Sequence, residues 1–241
     1  ISTLCSHPFD YIANMTDTHA LYTVKEIRQV EQEALANSPS YALMQRAGTA
    51  AGELAYELLQ SSEKEKRVLV LAGPGNNGGD ALEAASQLMN AGLKVCITLP
   101  YASDHLTADA QQALQNAKAS RATFIASNDA SISNTDWALV IDGLFGIGLN
   151  SAITGPAYEL IAAVNQLSCP ILALDVPSGL NADTGAIVGG AEGIAIQATH
   201  TITYIADKAG LHTCEGRDHA GIVTVAALDL SLIHISEPTR L

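Results

Sequence analysis

Three short polar segments carry the residue types able to do chemistry in this chain. The first, Gly73-Pro74-Gly75-Asn76-Asn77-Gly78-Gly79-Asp80, follows the apolar run 67–72 and opens a helical pattern that runs to Ala91. Glycine lets backbone N–H groups crowd an anion and a helix N-terminus adds positive partial charge, so a strand, a glycine-rich turn and a helix together suit a phosphate. Two side-chain amides and a carboxylate inside the turn point to a polar group or a cation held there as well. The second segment is Asp142-Gly143 with Gly146 and Gly148; the third is Asp175-Val176-Pro177-Ser178-Gly179. Taken singly, each has a structural explanation, because Asp and Asn cap helices and Gly makes tight turns. Three such turns at strand ends are harder to explain that way.

Several familiar chemistries do not match. Gly73, Gly75 and Gly78 have the dinucleotide spacing, but that fingerprint expects an acid roughly 20 residues on, at the end of the second strand. That strand ends here in Leu99-Pro100, so ordinary NAD-dependent hydride transfer loses support. No lysine and hydroxyl residue follow the glycines as in a P-loop. Ser178 lacks a nucleophile elbow, and the seven histidines form no zinc-type pair. Lys208 is read as a solvated lysine in preference to one reaching a phosphate, and Trp137 as packing.

The elements that must position these segments alternate. Val24, Ile27, Val30 and Leu35 repeat at helical spacing, Ser38-Pro39-Ser40 breaks the pattern, and 41–59 resumes it. That apolar stripe is expected in the core, with a share in a possible homodimer interface. Strands are expected at 68–72, 94–99, 122–125, 138–141, 171–174, 201–205 and 222–225, with helices at 79–91, 107–118 and 155–166. Short Val/Ile/Leu-rich strands separated by helices predict an α/β fold: a Rossmann-like, doubly wound, mostly parallel sheet with helices on both faces and two N-terminal helices. All three polar segments then stand at carboxyl ends of strands, where open α/β sheets bind ligands.

Composition narrows the class. The 241 residues are 48% hydrophobic and 15% charged, as in one well-packed domain. A formal charge of −13 argues against nucleic acid. No apolar run is long enough for a membrane span, and of the four scattered cysteines Cys96 and Cys169, in or beside strand-like runs, read as buried free thiols; a cytoplasmic protein is expected. Residue 1 is Ile, Met15 is the expected start, and 1–14 reads as upstream read-through. The tail from Leu230 reads like a translated sequencing adapter, so 230–241 is set aside and the domain is expected at 15–229.

In this setting the chain resembles the NAD(P)HX epimerases, the YjeF N-terminal domain. The resemblance is carried by Tyr41-Ala42-Leu43-Met44-Gln45-Arg46-Ala47-Gly48, by 75–80, by 142–148, by Leu174 to Leu180, and by Ile202-Thr203-Tyr204 leading to Lys208 and to Gly216-Arg217-Asp218. It implies an isomerase that interconverts the R and S hydrates of NADH and NADPH at C6 of the nicotinamide ring. An S-specific dehydratase partner, fused in an untruncated chain or separate from it, then restores the cofactor. It also implies a bound K+ (potassium) ion. Carried over, Asn76, Asn77, Gly78, Gly79, Asp80, Gly146, Ile147, Gly148, Leu149, Asn150, Ser151, Ala152 and Asp175 would hold the substrate. Asn77, Asp142 and Ser178 would ligate potassium, and Asp175, then Asp80, would be the acid/base residues. Oxygen ligands of this kind suit a hard cation.

Two departures stand out. Ala81 replaces the family's glycine, putting a methyl at the first helical turn where it would crowd the substrate. Thr213-Cys214-Glu215 replaces a Thr-Gly-Lys segment, exchanging a cation for an anion. The alternative function is a noncatalytic nucleotide-binding or dimerisation module of the same fold.

Overall fold

Val68 to Leu71 are four consecutive apolar residues, and successive side chains of a strand point to opposite faces. Both faces of such a strand must therefore be covered, and in the computed structural model all four are fully buried. The structure describes residues 20–37, 39–102 and 105–230. The read-through expected at 1–14 and, save Leu230, the adapter tail expected at 230–241 lie outside the described residues.

The described chain runs α1 (Val24–Asn37), α2 (Ser40–Gln60), β1 (Arg67–Ala72), α3 (Asn76–Asn90), β2 (Lys94–Thr98), α4 (Ala108–Ala119), β3 (Thr123–Ile125), α5 (Ser131–Asn134), β4 (Leu139–Gly143), α6 (Gly155–Val164), β5 (Ile171–Leu174), β6 (His200–Tyr204), α7 (Gly216–His219) and β7 (Ile222–Ala226). The seven strands form one sheet in the order β3-β2-β1-β4-β5-β6-β7. Every pair is parallel, so the expected mostly parallel sheet is a wholly parallel one among the described residues. Val68 and Val70 pack with residues of α1 to α4 on one face. Leu69 and Leu71 pack with Ile132 of α5 and Ala157, Leu160 and Ile161 of α6 on the other. Each fully buried Val or Leu contributes about 1.5–3 kcal/mol.

Two boundaries moved in ways that matter. The helix expected from residue 79 begins at Asn76, so the amides and Asp80 belong to its first turns and not to a loop. Asp142 and Gly143 are the last residues of β4, not the turn after it. In both cases backbone hydrogen bonding extends through polar residues that a hydropathy pattern ends on. The two single-turn helices α5 and α7 have too few residues to show a period.

The chain steps outward from β1 to β2 and β3, then returns to place β4 on the other side of β1. That reversal leaves a crevice between the carboxyl ends of β1 and β4. Register sharpens it: Leu71 pairs with Asp142, Asp142 with Ala173, and Leu174 with Ile202. The three polar segments are thereby level at one edge. Behind them, Tyr41 of α2, Glu83 of α3 and Asn116 of α4 hydrogen-bond one another, fixing α3 from its buried side.

Candidate active site

A cavity of about 370 Å3 opens at this edge, within the size range of small-molecule sites. Its lining joins the first turns of α3 (Asn76, Asn77, Asp80) to Gly146, Ile147, Gly148 and Leu149 after β4 and to Asp175 after β5. Of the other residues expected to bind, Gly78 and Gly79 turn inward. A Cβ at Gly78 would stand 1.9 Å from the Gly73 carbonyl oxygen, and one at Gly79 would strike Met44. Asn150, Ser151 and Ala152 are exposed and lie beyond the lining. Ala81 is fully buried outside the cavity. Its methyl faces Gly143, where an added Cβ would come within 2.4 Å, so it packs against β4 and does not crowd the cavity. Glu215 is exposed and also outside it.

Asp175 is held in the left-handed region, φ 65°, a conformation that costs a non-glycine residue roughly 1–2 kcal/mol. Four contacts maintain it. Its N–H donates to the Ile202 carbonyl at 2.7 Å, and its Oδ2 accepts from the Ile147 N–H at 3.0 Å. Its Oδ1 lies 3.0 Å from Lys208 Nζ, and the missing Cβ of Gly146 leaves room for its Oδ2.

Lys208 overturns the expectation of a solvated lysine. It is fully buried, and its ammonium also donates to Thr203 Oγ1 (2.6 Å) and to the carbonyls of Tyr204 (3.0 Å) and Ala206 (3.3 Å). Ile205, at φ 72°, separates those two carbonyls, and the turn it makes lets both face one ammonium. These acceptors replace the water that the ammonium gives up on burial. Its sequence signal was weak, since a lysine after a strand end is ordinarily at the surface.

Asp80 sits in the opposite surroundings. Burial pushes its carboxyl well above the usual range, and Asp175, Glu31 and Glu83 push it further. Glu31, from α1, is raised by burial and then by Asp175. Together with Ile27 and Arg28 it brings α1 into the lining, and Thr107, Leu144, Phe145 and Tyr204 complete it. Leu144, Phe145 and Tyr204 stand in segments that carry the resemblance, though no site role was expected of them; Thr107 and the α1 residues stood in none, α1 offering only an amphipathic stripe.

Asp142 and Ser178 come together at this edge, and Asn77, from the cavity lining, reaches across to the end of β5. The Asn77 amide donates to the Leu174 carbonyl at 3.1 Å, while its Oδ1 is buried without a hydrogen-bond partner. Asp142 is fully buried. It accepts from the Ser178 hydroxyl (2.7 Å), the Ser178 N–H (2.9 Å) and the Leu144 N–H (3.2 Å). Burial outweighs these bonds and lifts its carboxyl to about 6. A buried amide oxygen without a partner and a buried carboxylate that forms no ion pair among the described residues are oxygen donors of the kind a monovalent cation takes.

Residues 40–210 match the family described as YjeF-related protein N-terminus. The chain belongs to this family. Among its relatives are NAD(P)H-hydrate epimerases of Bordetella pertussis, 39% identical over 89% of the chain and 90% of the relative, and of Achromobacter xylosoxidans, 39% identical over 86% and 94%. A bifunctional NAD(P)H-hydrate repair enzyme of Coxiella burnetii is 36% identical over 88% of the chain, which spans 42% of that longer protein. The crystal structure of yeast ynu0 shares the YjeF-type fold, with TM-score 0.69 over 85% of this chain and 86% of that one at 20% identity. The α1 residues of the cavity precede the stretch matched to the family.

Proposed function

We propose that this chain is an NAD(P)H-hydrate epimerase, interconverting the R and S hydrates of NADH and NADPH at C6 of the nicotinamide ring. The observation that carries the mechanism is one cavity whose lining holds Asp80 and Asp175 in opposed environments. Asp80 is buried among acids and kept protonated, whereas Asp175 is paired with Lys208. A buried carboxyl whose pKa is raised suits the acid, and a carboxylate ion-paired to an ammonium suits the base.

Asp80 gives its proton to the C6 hydroxyl as the C6–O bond breaks and water leaves; the lone pair of ring N1 forms the iminium. Water adds to the opposite face of C6, passing a proton to the Asp175 carboxylate. The reverse epimerisation uses the complementary protonation states, and exchange with solvent resets the pair. The uncapped first turn of α3, with no side-chain acceptor at Gly75, offers its N–H groups to the substrate's phosphates.

Potassium fits the orphan Asn77 Oδ1 and the buried Asp142 carboxylate, with Ser178 as third ligand. When bound it would offset negative charge and tie together the segments after β1, β4 and β5. The Coxiella relative, longer and bifunctional, supports a dehydratase as functional partner.

The test supplies the purified chain with R-NADPHX, potassium and an S-specific dehydratase, and follows NADPH absorbance. Recovery of the R form, lost in Asp175→Asn with substrate binding retained, is the expected result. A folded chain that recovers none would leave the binding-module alternative in its place.

A further inference from the structure

Tyr204, the last residue of β6, lines the cavity and is 6% exposed. Its hydroxyl is buried and has no hydrogen-bond partner. A phenylalanine would supply the same packing against the core without burying an unsatisfied donor, so stability gives no account of this oxygen. Its backbone is fixed, because the Tyr204 carbonyl accepts from Lys208 and strained Ile205 follows.

The surroundings indicate what the hydroxyl is for. Burial holds the phenol well above its ordinary range, and the two charges that bear on it are Asp80, the stronger, and Asp175. It is therefore a permanent donor beside the acid and base of the proposed reaction. Asp175 already has Lys208 and the Ile147 N–H. Asp80 has neither. Once it gives up its proton, a buried carboxylate remains among Glu31, Glu83 and Asp175, with the Lys208 ammonium already paired to Asp175.

We propose that Tyr204 is a positioning residue for Asp80: its hydroxyl donates a hydrogen bond to the carboxylate that forms when Asp80 protonates the leaving oxygen. This rests on the epimerase reading and deepens it. An interaction realised as charge develops lowers the barrier, whereas one already made in the resting state would not. The neutral Asp80 carboxyl offers only a weak acceptor, and the charge that forms on it during the reaction makes the strong one.

The experiment compares wild type, Tyr204→Phe, Asp80→Asn and the double variant in the coupled R-NADPHX assay, with thermal unfolding alongside. Tyr204→Phe is expected to keep or raise the unfolding midpoint, leave KM within roughly twofold and lower kcat by roughly tenfold or more. Its alkaline limb should move to higher pH, since losing a donor to the carboxylate raises the Asp80 pKa. In the Asp80→Asn background the same change should cost nothing further. A wild-type rate and pH profile in Tyr204→Phe would make the hydroxyl a bystander. An equal loss of rate in both backgrounds would show that it acts on the substrate and not through Asp80. If wild type itself recovers no R form, the epimerase reading fails first, an outcome distinct from either.

Discussion

At the scale of single residues, the site depends on giving two aspartates different company. The sequence shows Asp80 and Asp175 as equals; desolvation and Lys208 separate them. Epimerisation should accordingly fall as pH rises through the raised Asp80 pKa, because only the protonated acid can assist departure of the hydroxyl. A pH–rate profile of kcat checks the direction, and Asp80→Asn should lower kcat by about 10²- to 10⁴-fold. Lys208 is the residue the sequence most misrepresented. Lys208→Met should destabilise the fold by about 3–5 kcal/mol in a urea titration, because Asp175 would keep a buried charge without its partner. A loss under about 1 kcal/mol would mean that water reaches Asp175 and screens it.

At the scale of elements, α1 is the wall that the motifs do not announce. Its N-terminus is pinned by a Thr23–Glu26 capping box, by the Val24 N–H donating to Asp183 Oδ1 at 2.7 Å and by the Tyr22 N–H donating to the Asp207 carbonyl at 2.9 Å. These ties join the helix to loops after β5 and β6 and so hold Ile27, Arg28 and Glu31 over the cavity. Asp183→Ala should cost about 0.5–2 kcal/mol, the usual loss for a helix-capping acceptor. It should raise KM more than it lowers kcat, since the wall loosens while Asp80 and Asp175 stay in place; steady-state kinetics separates the two. The strands and helices themselves were legible, because apolar periodicity and glycine punctuation are local. The starts of α3 and ends of β4 were not, because Asn76, Asn77 and Asp142 are polar residues recruited into regular structure by neighbouring strands.

For the whole molecule, the parallel sheet concentrates negative charge at one edge of a chain that already carries −13. Asp142 illustrates the cost. Its folded pKa of about 6 lies above its ordinary 3.8, so between those values the folded state binds the extra proton and stability falls as pH rises. A potassium ion bound to the carboxylate opposes that fall and competes with the proton. The unfolding midpoint should therefore rise on replacing tetramethylammonium with potassium at pH above about 7, by about 3 kcal/mol of stability if the ion stands at roughly a hundred times its Kd. The gain should shrink below the Asp142 pKa and vanish in Asp142→Asn; equal midpoints in both salts at high pH would remove potassium from the site.

The sequence by itself determined the order of strands and helices, the parallel class of the sheet and the three polar segments at its carboxyl edge. Those follow from periodicities and turn residues acting over a few positions. Only the tertiary structure decided that Lys208 turns inward to Asp175, that Ala81 packs on Gly143 and that Tyr204 and Glu31 line one cavity with Asp80. Which charge is buried beside which depends on residues 33 to 124 positions apart, and local pattern carries no record of them.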